Sequence, residues 1–281
     1  MKAGRGMSFV IVAAVYVLAA LCGVFIYTHV SGQLWLRVFA ADAGATVLVF
    51  IFSCILGNAS VYDPYWSVQP IVILAPFAFS SPSPSKSLLM LMVLVWGIRL
   101  TANWAYTFGG LEHQDWRYTQ LRQSSGKLYP LVNFAGIHMF PTVVVFLCIL
   151  PALYVMNENP AFSPLCIIGA AISFGAVLLQ LVADTQMHRY RKDRRTPFME
   201  QGLWKKARHP NYLGEILMWW GVAIYGIALL GFRWYLILGA AVNHLMFLFI
   251  SVPLADRRQA KREGYSQYRE GKNMLVPFRF R

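Results

Sequence analysis

The sequence predicts an all-α fold: a polytopic transmembrane helix bundle of seven or eight spans, forming a single integral membrane domain over residues 1–281. Three observations carry this. Hydrophobic residues make up 57% of the chain, against roughly 45–50% in soluble domains, and charged residues only 13%, about half the usual share. Mean hydropathy is +0.49. Apolar runs near twenty residues recur along the whole length, the length of helix that crosses a bilayer. These values exclude a disordered chain, an ordinary soluble enzyme and a nucleic-acid-binding domain.

The expected spans are about 8–28, 38–57, 66–80, 87–108, 134–156, 162–183, 211–230 and 233–254. The first run is too long for the h-region of a signal peptide, and no small-residue cleavage site follows it, so it is read as a span. The third is short and contains Pro70 and Pro76, which leaves the count between seven and eight. The serine- and proline-rich stretch 81–87 is a turn between spans. Polar loops follow at 109–133 and 185–210, and a basic tail occupies 255–281.

The net charge of +13 is distributed in a telling way. With eight spans and the N-terminus inside, 21 Lys and Arg fall in inside segments and three (Arg37, Lys86 and Arg233) in outside ones, with Arg99 within a span. This asymmetry predicts a multi-pass protein with its large basic loops and both termini in the cytoplasm. The membrane would be the endoplasmic reticulum in a eukaryote or the inner membrane in a bacterium. Expected partners are the lipid bilayer and a lipid substrate, not nucleic acid. Cys22, Cys54, Cys148 and Cys166 lie in or beside apolar runs with no paired spacing. They read as packing residues, and neither a disulfide framework nor a metal site is expected.

Ionisable groups inside spans are costly and therefore point to function or to a buried pair. Arg99 and Asn103 share a helix face in the fourth span, extended by Trp96 and Tyr106. Gln180, Asp184, His188 and Arg191 line one face where the sixth span leaves the membrane, a stripe that could face a ligand. Arg208-His209-Pro210-Asn211-Tyr212 then opens the seventh span. Proline suits the first helical turn, and free N–H groups beside Arg208 and Lys205 or Lys206 could bind an anion. One turn on, Glu215 sits among apolar residues and needs a partner: a cofactor amide or hydroxyl, or a basic side chain. Asn243 and His244 interrupt the last span, and His138 the fifth. Asp63 lies between two aromatic anchors at the start of the third segment. Glycine-rich nucleotide loops, a phosphate-loop lysine and a serine nucleophile elbow are absent, so a nucleotide would have to bind the helices and basic loops themselves.

Several of these motifs recur together in one family. The stretch from Ala183 to Glu215, with Asp184, Arg191, Gly202-Leu203-Trp204 and Arg208-His209-Pro210-Asn211-Tyr212-x-Gly214-Glu215, resembles the C-terminal domain of the steroid 5α-reductases. It is closest to their polytopic relatives in bacteria and lower eukaryotes. Those relatives also share motifs like Tyr62-Asp63-Pro64-Tyr65-Trp66, Trp96-Gly97-x-Arg99-Leu100-x-x-Asn103-Trp104 and Glu112-x-x-Asp115-Trp116-Arg117-Tyr118. The resemblance covers residues 60–281 and leaves 1–58 outside.

The resemblance implies a helical bundle open to the membrane, NADPH at its cytoplasmic side, and hydride transfer to the enone of a sterol- or isoprenoid-like lipid. It assigns Asn103, Gln180, Asp184, Arg191, Arg208, His209, Asn211, Tyr212, Glu215 and Asp256 to the cofactor. Arg99 belongs near the nicotinamide end. Where steroid reductases polarise the ketone with Tyr and Glu, this chain offers Trp96 and, as the nearest acid, Asp63. The catalytic candidates are thus Asp63, Trp96 and Arg99. Two alternatives stay open. The isoprenylcysteine carboxyl methyltransferases, which use S-adenosylmethionine, share an Arg-His-Pro-x-Tyr-x-Gly motif. Their Glu-Glu pair after the last span reads Asp256-Arg257 here. The other alternative is a lipid-binding relative without catalysis.

Overall fold

The computed structural model describes residues 4–193 and 196–277. Arg194, Arg195 and residues 278–281, which contribute to the basic clusters, lie outside them. The fold is all-helical, and among the described residues seven helical stretches are long and apolar enough to span a membrane.

Helices α1 (Arg5–His29) and α2 (Leu34–Ile55) form a hairpin. Gly32, at φ 124°, takes the turn between them, where a side chain would be strained. Arg37 locks the pair: its guanidinium donates to the Tyr27 carbonyl at 3.0 Å and stacks over the Tyr27 ring at 4.2 Å. A short turn over Ala59–Tyr62 leads into α3 (Tyr65–Ser80). Asn58 anchors that turn by accepting from the Ser60 N–H and donating to the Leu111 carbonyl.

The short third segment is helical throughout, with both prolines inside. It runs from the loop around Gln114 and Asp115 to the far end of the bundle, where Lys86 donates to Ser81 and to the Phe77 carbonyl. At 16 residues α3 is shorter than the seven stretches that, among the described residues, are long and apolar enough to span a membrane.

Ser83 caps α4 (Pro84–Thr107), with Pro84 in its first turn, where its missing N–H costs nothing. The surface helix α5 (Trp116–Ser125) and the single turn α6 (Tyr129–Val132) lead into α7 (Phe140–Glu158), the most thoroughly buried helix. Asn159, at φ 46°, ends it in the left-handed conformation. Helix α8 (Cys166–Lys192) runs nine residues past the expected end of the sixth span. After α9 (Pro210–Leu230) and α10 (Leu238–Met246), α11 (Val252–Gln259) completes the last pass, and α12 (Tyr265–Arg269) lies in the tail.

Two wide, π-helical turns, Asn133–Met139 and Phe247–Ser251, each end two residues before a proline, Pro141 and Pro253. A proline cannot donate to the carbonyl four residues back and its ring crowds that carbonyl; the wider turn accommodates both effects.

The tightest seam joins α8 to α9. A Cβ on Gly221 would come within 2.2 Å of Ser173 Oγ and 2.7 Å of the Gly169 carbonyl. Small residues let the two backbones approach closely, which is how helices associate where no hydrophobic drive acts between them. The outer faces of α1 and α8 stay apolar and exposed, for example at Val17, Leu21, Ile168 and Leu178, as a lipid-facing surface requires.

Candidate functional site

The two polar stripes expected on the fourth and sixth spans face each other. Arg99 of α4 donates to Asp184 Oδ2 of α8 at 2.9 Å and to Gln180 Oε1. One turn on, Asn103 Oδ1 meets His188 Nε2 at 2.7 Å, and Tyr106 packs edge-on against the His188 ring. The α8 stripe is thus turned mainly onto α4 rather than onto an open ligand space. Arg191, one turn further, is exposed.

Glu215 of α9 sits below this seam, 5% exposed. Its carboxylate accepts from Trp96 Nε1 at 3.0 Å, Trp219 Nε1 at 3.0 Å and Gln180 Nε2 at 3.1 Å, with Arg99 Nη2 4.0 Å away. The partner that Glu215 requires comes from the protein itself. A Cβ on Gly214 would lie 2.4 Å from Gln180 Cγ, so glycine there gives Gln180 its place. Trp96 spends its one N–H on Glu215 and has none left to polarise a carbonyl. Within this network two carboxyl groups, Asp184 and Glu215, share one guanidinium.

Asp256 organises a second cluster. It accepts from Arg208 Nη2 at 3.0 Å, His209 Nε2 at 2.9 Å and the Tyr265 hydroxyl. The backbone N–H groups of Arg208 and His209 bond to the Asn273 and Met274 carbonyls, pinning the tail under the start of α9. Arg208 and its neighbour therefore already hold an acid of this chain where the sequence suggested an external anion. The His209 ring stacks on Tyr212 at 5.1 Å.

The third group surrounds a polar cavity of about 360 Å³, lined among others by Asp63, Asn103, Trp104, His113, Asp115 and Arg117. Asp63 accepts from the Tyr118 hydroxyl at 2.7 Å. Burial pushes its carboxyl up to about 6, against the opposing pull of Arg117 and Tyr118. Asn103 lines this cavity while bonding His188, so the cavity adjoins the α4–α8 seam. Tyr212 lies within electrostatic reach of Arg117, Asp115, Asp184 and Asp256, and Arg258 stacks on Trp116 at 4.1 Å. The three clusters thus share one end of the bundle, with Tyr212 among them.

Several buried groups there have no hydrogen-bond partner: the donors Arg99 Nε and Trp104 Nε1, and the acceptor Asn211 Oδ1. Asn211 Nδ2 reaches Asp184 Oδ1 only at 3.5 Å. Such orphans are rare in folded proteins and suit a polar ligand that both donates and accepts.

Sequence reasoning missed Trp219, Tyr118 and Tyr265. Trp219 stands four residues after Glu215, the spacing that puts two side chains on one helix face. Tyr118 lay within a quoted motif without a role. Nothing local marks Tyr265. Asn243 is buried in α10 away from these clusters' contacts, its Nδ2 unpartnered, and His138 bonds the Asn133 carbonyl one turn back.

The architecture and its polar end define an integral, multi-pass helical membrane protein with a buried ionic network. The chain belongs to the family described as protein of unknown function (DUF1295), whose model matches residues 49–273. It is similar to an uncharacterized protein of Schizosaccharomyces pombe, with 26% identity over 238 residues that cover 70% of this chain and 69% of that protein. No solved structure matches.

Proposed function

We propose that the protein is a membrane-embedded oxidoreductase that transfers hydride from NADPH to the activated double bond of a lipid, sterol- or isoprenoid-like in character. The observation that carries this reading is the polar end of the bundle. There a polar chamber lined by Asp63, His113, Asp115 and Arg117 adjoins an ionic network sunk between α4, α8 and α9, with unpartnered donors and an unpartnered acceptor at the join. NADPH fits that donor set. Arg117, Arg191 and Arg258 offer charge for its phosphates, Asn211 Oδ1 suits a carboxamide N–H, and Arg99 Nε suits the carboxamide oxygen. When bound, NADPH supplies the hydride and its ring gains positive charge, which two carboxyl groups sharing one guanidinium favour.

This chain's own residues would do the rest. Asp63, with its carboxyl raised to about 6, is suited to donate a proton near neutral pH. Trp104 Nε1 can donate to the carbonyl oxygen on which charge develops. The excess of basic residues at this end supports a cytoplasmic orientation for it.

The two carboxyl groups that share Arg99 also suit a sulfonium, so methyl transfer from S-adenosylmethionine is the second reading. Thermal melting in mild detergent tests both. A ligand at a hundred times its dissociation constant stabilises the fold by roughly 2.7 kcal/mol. A shift with NADPH, weaker with NADH and absent with S-adenosylmethionine, is expected. A shift with S-adenosylmethionine alone would overturn the reading in favour of methyl transfer, and no shift with any of the three would leave a non-catalytic lipid-binding protein.

A further inference from the structure

A second cavity lies between α1, α2 and α3 and shares no lining residue with the polar chamber. Its volume is about 290 Å³, near the lower end of small-molecule sites. Nearly all of its wall is apolar, including Tyr16, Tyr27, Val72 and Phe77, and its polar floor is Asp42, Tyr65 and Gln69.

Asp42 is 3% exposed. Its Oδ1 accepts from the Tyr65 hydroxyl at 3.0 Å and its Oδ2 from Gln69 Nε2 at 2.7 Å. Gln69 spends its amide nitrogen on the carboxylate, which leaves Gln69 Oε1 as a separate acceptor. It is fully buried, on a residue only 5% exposed, and has no partner. No basic side chain lines the cavity, and no ion pair to Asp42 occurs among the described residues. The nearest arginine along α2, Arg37, is bonded to the Tyr27 carbonyl.

A carboxyl buried in a span is normally matched by a cation, and a buried amide oxygen by a donor. A carboxylate has about four lone-pair sites, of which two are filled here. The vacant acceptors of Asp42 and Gln69 Oε1 call for a group that only donates and carries positive charge. Tyrosine rings around the floor favour a cation as well.

We propose that this cavity is a binding site for an amphiphile with a single protonated amine head on an apolar body, the ammonium seated on Asp42 and Gln69. The apolar wall takes the body, and the ammonium's three donors meet the open acceptors.

The test uses the full chain in phosphatidylcholine nanodiscs and a long-chain amine bearing a photoreactive diazirine. Labelling is expected to concentrate on peptides of α1, α2 and α3. Dodecylamine should suppress it at concentrations at least tenfold below those needed of dodecanol or 2-dodecanone. Asp42→Asn should abolish that preference. Ala20→Phe, which fills the cavity from its wall, should cut the labelling several-fold with Asp42 intact, so the proposal remains falsifiable if the first variant fails to fold. Equal competition by dodecanol, better competition by the ketone, or labelling spread evenly over the lipid-facing helices would each overturn it.

Discussion

Glu215 and Asp42 are both carboxyl groups deep in a helical bundle, and the protein treats them differently. Glu215 lies between α4, α8 and α9, where three neutral donors fill its oxygens and a guanidinium stands 4.0 Å away. Asp42 lies between α1, α2 and α3, with two neutral donors, no cation, and a cavity in front of it. The first acid is closed into a network that ties three helices together. The second is left with unmatched valence beside empty space. Burial alone therefore does not mark a ligand site; what counts is whether the surrounding side chains have already met the group's demand for donors and charge.

The widest separation between the two regions comes from removing the cation. Arg99→Met removes the guanidinium that Asp184 and Glu215 share, and breaking a buried pair in this way costs roughly 3–5 kcal/mol. Thermal or denaturant melting in detergent reads this directly. Adding Glu215→Gln to the Arg99 variant should recover part of the loss, a coupling of about 0.5–3 kcal/mol. Recovery of nothing would mean that Glu215 is held by its tryptophans alone. Next in size is Gly221→Ala, which sets a methyl against Ser173 and the Gly169 backbone at the α8–α9 seam. Overpacking of this kind costs about 1–3 kcal/mol, and it should loosen the Glu215 region while sparing the α1–α2 hairpin. Hydrogen exchange resolved by segment distinguishes the two.

Much of the Glu215 side could be read from the sequence because its residues obey helical periodicity. Trp96, Arg99 and Asn103 on one helix and Gln180, Asp184 and His188 on another declare two stripes, and polar stripes in apolar helices must meet something. That they meet each other is a tertiary fact, fixed by which helices are neighbours, and no spacing within either helix contains it. Asp256 shows the same limit: its partners Arg208 and His209 lie 48 and 47 residues away. Asp42 is visible in the sequence too. It is an acid inside an apolar run, but its one polar neighbour a turn away on α2 is the uncharged Thr46, so no charged stripe marks it. The third segment remained uncertain because two prolines shorten its apolar run. The helix forms even so, because a proline within a helix disturbs only its own turn.

Asp63 sharpens the comparison through pH. Its carboxyl is raised from 3.8 to about 6, so the folded state holds the proton more tightly than the unfolded chain. The stability this contributes is fully present below about pH 4 and is lost as pH rises through about 6. Asp63→Asn removes the titration. Wild type should lose of order 2 kcal/mol relative to that variant between pH 4 and pH 7, measured as parallel melting curves. Tyr118→Phe, which removes the donor to the charged form, should move the loss to higher pH. Parallel pH profiles for wild type and Asp63→Asn would show that the acid is solvated and would remove it as a proton donor.

The smallest expected effect falls on Asp42. Replacing it with Asn keeps an acceptor for Tyr65, loses only part of the bonding to Gln69, and removes a carboxyl that has no counter-ion. The net change should stay within about 1 kcal/mol, since a typical hydrogen bond contributes that much and removing an unmatched carboxyl offsets it. Glu215→Gln should cost more than this, because Trp96, Trp219 and Arg99 are all arranged around a carboxylate. The ordering is the informative result. If Asp42→Asn destabilises the protein as much as Glu215→Gln does, the α1–α3 floor is a structural brace like the other network. If Asp42→Asn is near neutral alone but abolishes stabilisation by a long-chain amine, the energy invested in burying that acid is recovered only when a ligand is bound.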